Sequence, residues 1–374
     1  MLRLANVNSD LVRSVIRKSC ALAFLCTALN LTVNAQTGSL TSAVGGFLIT
    51  GPSPVLPIPV YHAGFGNVNG LGIGNAGAGL TTIAVAGGEF YYTSINFVIA
   101  GANPGHPAVV NAYLFSGFAN PNSVIQLMSC PSPGPCTSFS NYTALPTSFG
   151  TEITIVPTTT STGTFTGYLG LFVGDVNGTA VTRPDSATIM FDVEDNRHGI
   201  LNQIKLQLDT PSVTVQTAVQ LQLATAPSGL AITATGASPD YQANFGNVNG
   251  LGVGPIAGVT VVPGQVAGGS LYTSPYLLEP AFSGFSTVNN AIVTVYVNTN
   301  FVHSGVLKLY DSGTSSSGYG PISTTSGAQT QITNSAGNGV NITRYLGLFV
   351  SNVNGAGSFS GSDTATLTYT ITVQ

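Results

Sequence analysis

Apolar and polar residues alternate along much of this chain with a period of two. Ala365, Leu367, Tyr369, Ile371 and Val373 occupy alternate positions, and threonine fills every place between them from 364 to 372. This pattern predicts a strand with one buried face and one wet face. Residues 185–193 repeat it with Ala187, Ile189, Phe191 and Val193. YLGLFV, present at 168–173 and again at 345–350, is apolar on both faces and predicts a central strand. Further strands are expected at 108–115, 123–129, 291–298 and 305–310. Beyond residue 35 no stretch has the spacing of an amphipathic helix. Asn-Gly pairs at 69–70, 177–178, 249–250 and 354–355 are expected to turn the chain between strands. Many short strands with regular turns imply an all-β sandwich or barrel.

The pattern occurs twice. FGNVNGLG stands at 65–72 and 245–252, VAGG at 85–88 and 266–269, YTS at 92–94 and 272–274, and DSATIMFDV at 185–193 against DTATLTYTI at 363–371. The offset stays between 177 and 182 residues. We therefore expect two tandem immunoglobulin-like β-sandwich domains related by internal repeat. Their expected bounds are 36–197 and 212–374, with a junction at 198–211. Residues 200–208 and 213–223 still alternate, so the junction is expected to be a stiff, strand-bearing connector.

The first 35 residues break the pattern. Arg3, Arg13, Arg17 and Lys18 precede an apolar run from Cys20 to Val33, and Val33-Asn34-Ala35 fits a cleavage site. This is the layout of a secretory signal peptide, and the mature chain is expected to be secreted or held at the cell surface. The later sequence has no apolar run of the length a bilayer requires. It holds five basic and twelve acidic residues, a net charge of −7. A chain so poor in cations has no patch able to neutralise a row of phosphates, which argues against nucleic acid as a partner. Low charge also leaves little repulsion against self-association. The mature chain keeps Cys130 and Cys136, bracketing a Pro/Gly loop, and an oxidising compartment would join them in a disulfide.

The repeat serves as a filter, since a site required in both copies should occur in both. Gly72, Gly74 and Gly77 have the spacing of a dinucleotide-binding turn, but a strand follows where a helix is needed, and the second copy has Pro255 and Ala257 there. Asp175, Asn177 and Asp185 are the calcium candidates. They have the alternation of a calcium loop, with Thr179 at the fifth place and Asp185 one residue short of the twelfth. In the second copy Asn352, Asn354 and Asp363 keep the spacing, with Ala356 at the fifth place. His62, His106, His198 and His303 are isolated from one another. No G-x-S-x-G occurs, and Glu89, Glu152, Asp192, Glu194, Asp195 and Glu279 form no recognisable glycosidase pair. Tyr91, Tyr92, Tyr272 and Tyr276 could offer a sugar platform, or could pack in the sheets. Asn141, Asn177 and Asn341 lie in glycosylation sequons.

These observations favour a non-catalytic structural or adhesive surface protein without a cofactor, its strand edges open to itself or to other surface proteins. A pair of carbohydrate-binding modules taking a polysaccharide is the second reading. A secreted hydrolase with an unrecognised site is the third.

Overall fold

The computed structural model describes residues 37–374 apart from 54–57, 74–76, 132–135, 179–183, 196–198, 236–239, 263, 288 and 354–359. For 53 and 199–213 it describes the backbone alone. The predicted leader, His198 and Asn354 lie outside the described residues. Apart from two 3-10 turns, at Phe139–Asn141 and Ser326–Ala328, the regular elements are all β.

The first half contributes β1 (Thr37–Ser42), β2 (Thr50–Ser53), β3 (Val60–Val68), β4 (Thr81–Val85), β5 (Gly88–Ala100), β6 (Ala108–Ser116) and β7 (Ile125–Cys130). It continues with β8 (Thr143–Ala144), β9 (Ile153–Thr159), β10 (Gly163–Gly174), β11 (Pro184–Asp185), β12 (Thr188–Asp195) and β13 (Gly199–Val215). One sheet has the order β1-β5-β10-β7-β8, with β4 also on β5; the other runs β2-β3-β13-β12-β6-β9, with β11 also on β13. Alternation drives the two sheets together. Ile95, Phe97 and Ile99 of β5 and Ile189, Phe191 and Val193 of β12 are all fully buried in one core. Phe97 meets Phe191 edge-on across it, with centroids 5.0 Å apart.

The expected central strand is β10, buried on both faces. Leu169, Leu171 and Val173 enter the main core. On the outer face Phe172 joins Phe90, Met128, Tyr142 and the Cys130–Cys136 disulfide in a satellite cluster. The Tyr142 hydroxyl donates to the Cys136 carbonyl at 2.9 Å. The disulfide thus staples a loop over an apolar sheet face.

The second half contributes β14 (Ala218–Thr225), β15 (Ile232–Thr235), β16 (Asp240–Ala243), β17 (Thr260–Val262), β18 (Gly269–Ser283) and β19 (Ala291–Thr299). It ends with β20 (Leu307–Ser312), β21 (Gly320–Pro321), β22 (Thr330–Ala336), β23 (Ile342–Ser351) and β24 (Thr366–Val373). Its first sheet, β14-β18-β23-β20-β21 with β17 on β18, has the same order as its counterpart. Its own core gathers Tyr272, Leu278, Val293, Val295, Leu309 and Leu348, with no residue of the first half.

Of three expectations, two are corrected and one is extended. First, residues 199–211, expected in the junction, and 212–215, expected to open the second domain, together form β13, an inner strand of the first half. The passage between halves is the short step from Val215 to Ala218. Second, the Asn-Gly pairs at 69–70 and 249–250 turn the chain as expected, the Gly72 N–H donating to the Asn69 carbonyl and the Gly252 N–H to that of Asn249, and they do more than turn it. A Cβ on Gly70 would come 2.4 Å from the Gly174 carbonyl oxygen, and one on Gly250 2.4 Å from that of Ser351, so each glycine permits a close crossing of two backbones. Third, the two YTS blocks are out of structural step by one residue. Tyr91, not Tyr92, is the counterpart of Tyr272: each hydroxyl donates to the carbonyl of its repeated asparagine, Asn69 at 2.8 Å and Asn249 at 2.9 Å.

The two halves also touch directly. Asn177 Nδ2 donates to the Phe282 carbonyl and its Oδ1 accepts from the Phe285 N–H, both at 3.0 Å. The Gly178 N–H donates to Phe285 and the Gly284 N–H to Val176, at 2.9 and 3.2 Å.

Candidate functional site

Matching pairings allow the halves to be overlaid residue by residue. Gly88 lies opposite Gly174 and Gly269 opposite Ser351; Val173 lies opposite Ile125 and Val350 opposite Leu307. On this overlay β2 and β3 answer to β15 and β16, and β12, β6 and β9 to β24, β19 and β22. The six-strand path β2-β3-β13-β12-β6-β9 becomes two fragments in the second half, β15-β16 and β22-β19-β24. The break falls where β13 stands in the first half, and among the described residues no strand fills it.

The consequences are visible on both sides of the gap. In the first half β13 runs antiparallel to β12, placing Leu208, Leu206 and Ile204 opposite Ile189, Phe191 and Val193. It also runs parallel to β3, from Gln207 opposite Val60 to Val215 opposite Val68. The residues it flanks are closed from water: Phe65, Val68, Ile189, Phe191 and Val193 are 0% exposed. Their counterparts Phe245, Val248, Leu367, Tyr369 and Ile371 are only partly buried. The closing strand therefore has a half-open apolar face where the alternation predicts a buried one. Likewise β3 extends through Val68, whereas β16 stops at Ala243 although FGNVNG follows in both. Among the described residues no strand lies beside 244–248 as β13 lies beside 64–68.

β24 is secured from beneath. The Tyr369 hydroxyl donates to that of Tyr276 at 3.2 Å, and Tyr276 donates to Asp311 at 3.1 Å. Asp311 is also paired with Arg344. Burial, then the neighbouring Tyr369 and Asp311, push the Tyr276 hydroxyl well above its ordinary pKa. Ile95, Ser129, Gly167 and Phe191 occupy the equivalent places in the first half, so this network belongs to the open half alone.

The remaining candidates have structural partners. The Asp185 carboxylate accepts N–H bonds from Ala119, Asn120 and Ser186 at 2.7–2.9 Å, and another from the Asn120 side chain. Asp363 accepts from Val302, His303 and Thr364, with the His303 ring 3.0 Å away. Each carboxylate pins the loop before β7 or β20, which explains its recurrence. Asn177 serves the contact between halves, and among the described residues no group of three acids, histidines or cysteines could hold a metal ion. His106 pairs with Asp195 at 2.7 Å. Tyr91, Tyr272 and Tyr276 are buried and offer no sugar platform; Tyr92 belongs to the satellite cluster. A shallow recess between β17, β18 and β23 is lined by Thr260, Val261, Thr273, Pro275 and Tyr345, with no acid or histidine. The open strand position was missed because it depends on which strands pair and not on the pattern of any one segment, and β24 alternates just as β12 does.

No family model matches the chain, and no curated protein matches it. Among solved structures, the CupB6 tip adhesin from Pseudomonas aeruginosa is 10% identical, covering 89% of this chain and 94% of its own, with a TM-score of 0.28. A chaperone–tip adhesin complex of CFA/I fimbriae gives 11% identity over 72% and 92%, with a TM-score of 0.17. The CsuC–CsuE chaperone–tip adhesion subunit complex of Acinetobacter baumannii gives 9% over 85% and 97%, with a TM-score of 0.16. At these scores no property passes from those proteins to this one; the all-β class rests on the strands themselves.

Proposed function

We propose that this chain is a secreted, non-catalytic structural or adhesive surface protein of two sandwich modules, the second with an open strand edge among the described residues through which it associates. The observation that carries the proposal is the sheet interrupted at the place β13 fills in the first half. A half-buried apolar strand face with a free edge is the usual substrate for strand addition. The low charge of the mature chain and its threonine-rich strand faces suit close approach of a second β-chain. The contact through Asn177 holds the open module against the closed one, as a surface spacer requires.

The test is hydrogen exchange on residues 36–374 alongside light scattering over a concentration series. In dilute monomer the amides of 366–373 should exchange much faster than those of 188–195. Association, with copies or with an added partner, should slow them. A monomer whose 366–373 amides are as protected as 188–195 would overturn the proposal.

A further inference from the structure

We infer that the recess on the outer face of β18 is a binding site for one neutral aromatic ring bearing a hydroxyl, a phenol. The first half shows how the space arises. Tyr92 lies opposite Thr81 on β4 and Gly170 on β10, and Thr273 lies opposite Thr260 on β17 and Gly347 on β23. Thr273 is therefore the counterpart of Tyr92. Tyr142 stands just before β8 and Tyr319 just before β21, and each ring lies over its glycine. A Cβ on Gly170 would come 3.1 Å from the Tyr142 ring, and one on Gly347 3.2 Å from that of Tyr319. Three residues before these tyrosines, Phe139 answers to Ser316.

Two rings of the first half thus have no equivalent in the second. Tyr92 stacks on Phe90 with centroids 6.0 Å apart, and Phe139 meets the same ring edge-on at 5.0 Å. Thr273 and Ser316 stand in their places, and both line the recess, with Thr260, Val261, Pro275 and Tyr345. Its volume is about 270 Å³, just below the ~300–1,000 Å³ of sites for drug-sized ligands, so it suits a single ring. No charged side chain lines it, so an ionic ligand would lose its hydration without a counter-charge. The walls are held in place. The Thr273 hydroxyl donates to the Thr260 carbonyl at 3.2 Å, the Gln265 side chain to that of Ser316 at 2.9 Å, and the Tyr319 hydroxyl to that of Ser315 at 3.2 Å. A ring entering this space regains, against Tyr345, the aromatic packing that its counterpart Tyr168 gives the satellite cluster. Ser315 and Ser316 add hydroxyl groups to one wall, which favours a phenol over a bare ring. The recess lies in the sheet that does not carry the open edge, so the two stand or fall separately.

The probe is p-cresol, the tyrosine side chain as a free molecule, titrated into residues 36–374 and followed by NMR. Binding should be saturable in the millimolar range, with shifts at Thr273, Val261 and Tyr345 and none at Tyr92. N-acetyltyrosinamide separates two sources of the ring. Binding as tight as that of p-cresol points to a tyrosine side chain of a partner, and binding of p-cresol alone to a free phenol; both support the site. Thr273→Tyr and Ser316→Phe each restore a ring of the first half. Each should weaken p-cresol by about tenfold or more, while the melting midpoint of the second half holds or rises. Ser316 is exposed, so its variant keeps the test open even where Thr273→Tyr disturbs the sheet. Absence of saturable p-cresol binding, or unchanged binding in a folded Ser316→Phe variant, would overturn the inference. So would tighter binding of methyl α-glucoside at the same residues, which would make the recess a sugar site.

Discussion

Asp311 is the residue whose removal should cost the second half most. It is 5% exposed, accepts from Tyr276 and faces Arg344, itself largely buried. Asp311→Ala leaves a guanidinium without its counter-charge and a tyrosine hydroxyl without its acceptor. Breaking one side of a buried ion pair costs about 3–5 kcal/mol. A small domain has about 5–15 kcal/mol to lose, so most of the margin would go. With a urea slope of about 2 kcal/mol per molar, the midpoint should fall by roughly 1.5–2.5 M. Hydrogen exchange across a urea series separates the halves, because peptides from β18 and β23 report one core and those from β5 and β10 the other. The second-half midpoint should fall while the first-half midpoint holds. Asp311→Ala with Arg344→Leu should be less harmful than Asp311→Ala alone, since the stranded charge is gone. Equal movement of both halves, or a double variant as unstable as the sum of the two singles, would refute the account of this network.

Phe65→Ala should destabilise the first half by about 3–5 kcal/mol, while its counterpart Phe245→Ala should cost under about 1.5 kcal/mol, because that ring is already part-exposed; urea midpoints of each half decide this. Burial raises the pKa of Asp363, but hydrogen bonds from His303, Val302 and Thr364 outweigh it and hold the group at about 2. A depressed carboxyl stabilises above its unfolded value, and that stability is lost as pH falls through the folded one. The second-half midpoint should therefore drop between about pH 4 and pH 2, and Asp363→Asn should flatten that slope. Asn177→Ala should remove about 1–3 kcal/mol from the contact between halves, seen as faster exchange of the Gly178 and Gly284 amides with the cores unchanged.

Most of the strand framework was legible because it rests on alternation within single segments. β6, β10, β19 and β23 fall where the pattern places them, and the doubly apolar YLGLFV is central in both sheets. What was not legible depends on partners far along the chain. Asp185 and Asp363 have the spacing of calcium-loop acids, yet their oxygens face the N–H groups of loops some 60 residues away. Their repetition in both copies was the available signal, and it marked a shared structural clamp. The one-residue slip at Tyr91 and Tyr272 was hidden because two adjacent tyrosines, Tyr91 and Tyr92, could each match one.

The two halves together isolate what a neighbouring strand contributes. FGNVNG is identical at 65–70 and 245–250, so local preference is the same in both places. In one it is drawn into β3 up to Val68; in the other the strand ends at Ala243. The neighbouring β2–β3 and β15–β16 pairings exist in both halves and cannot account for the difference. What differs is β13, parallel to the first stretch, whereas among the described residues no strand lies beside the second. β24 reports the same cause from the other side, where Leu367, Tyr369 and Ile371 keep the alternation of Ile189, Phe191 and Val193 without their burial. Strand preference is largely a preference for a packed, half-buried surface. A single added strand should therefore extend β16 toward Val248 and close β24, two segments 120 residues apart in sequence.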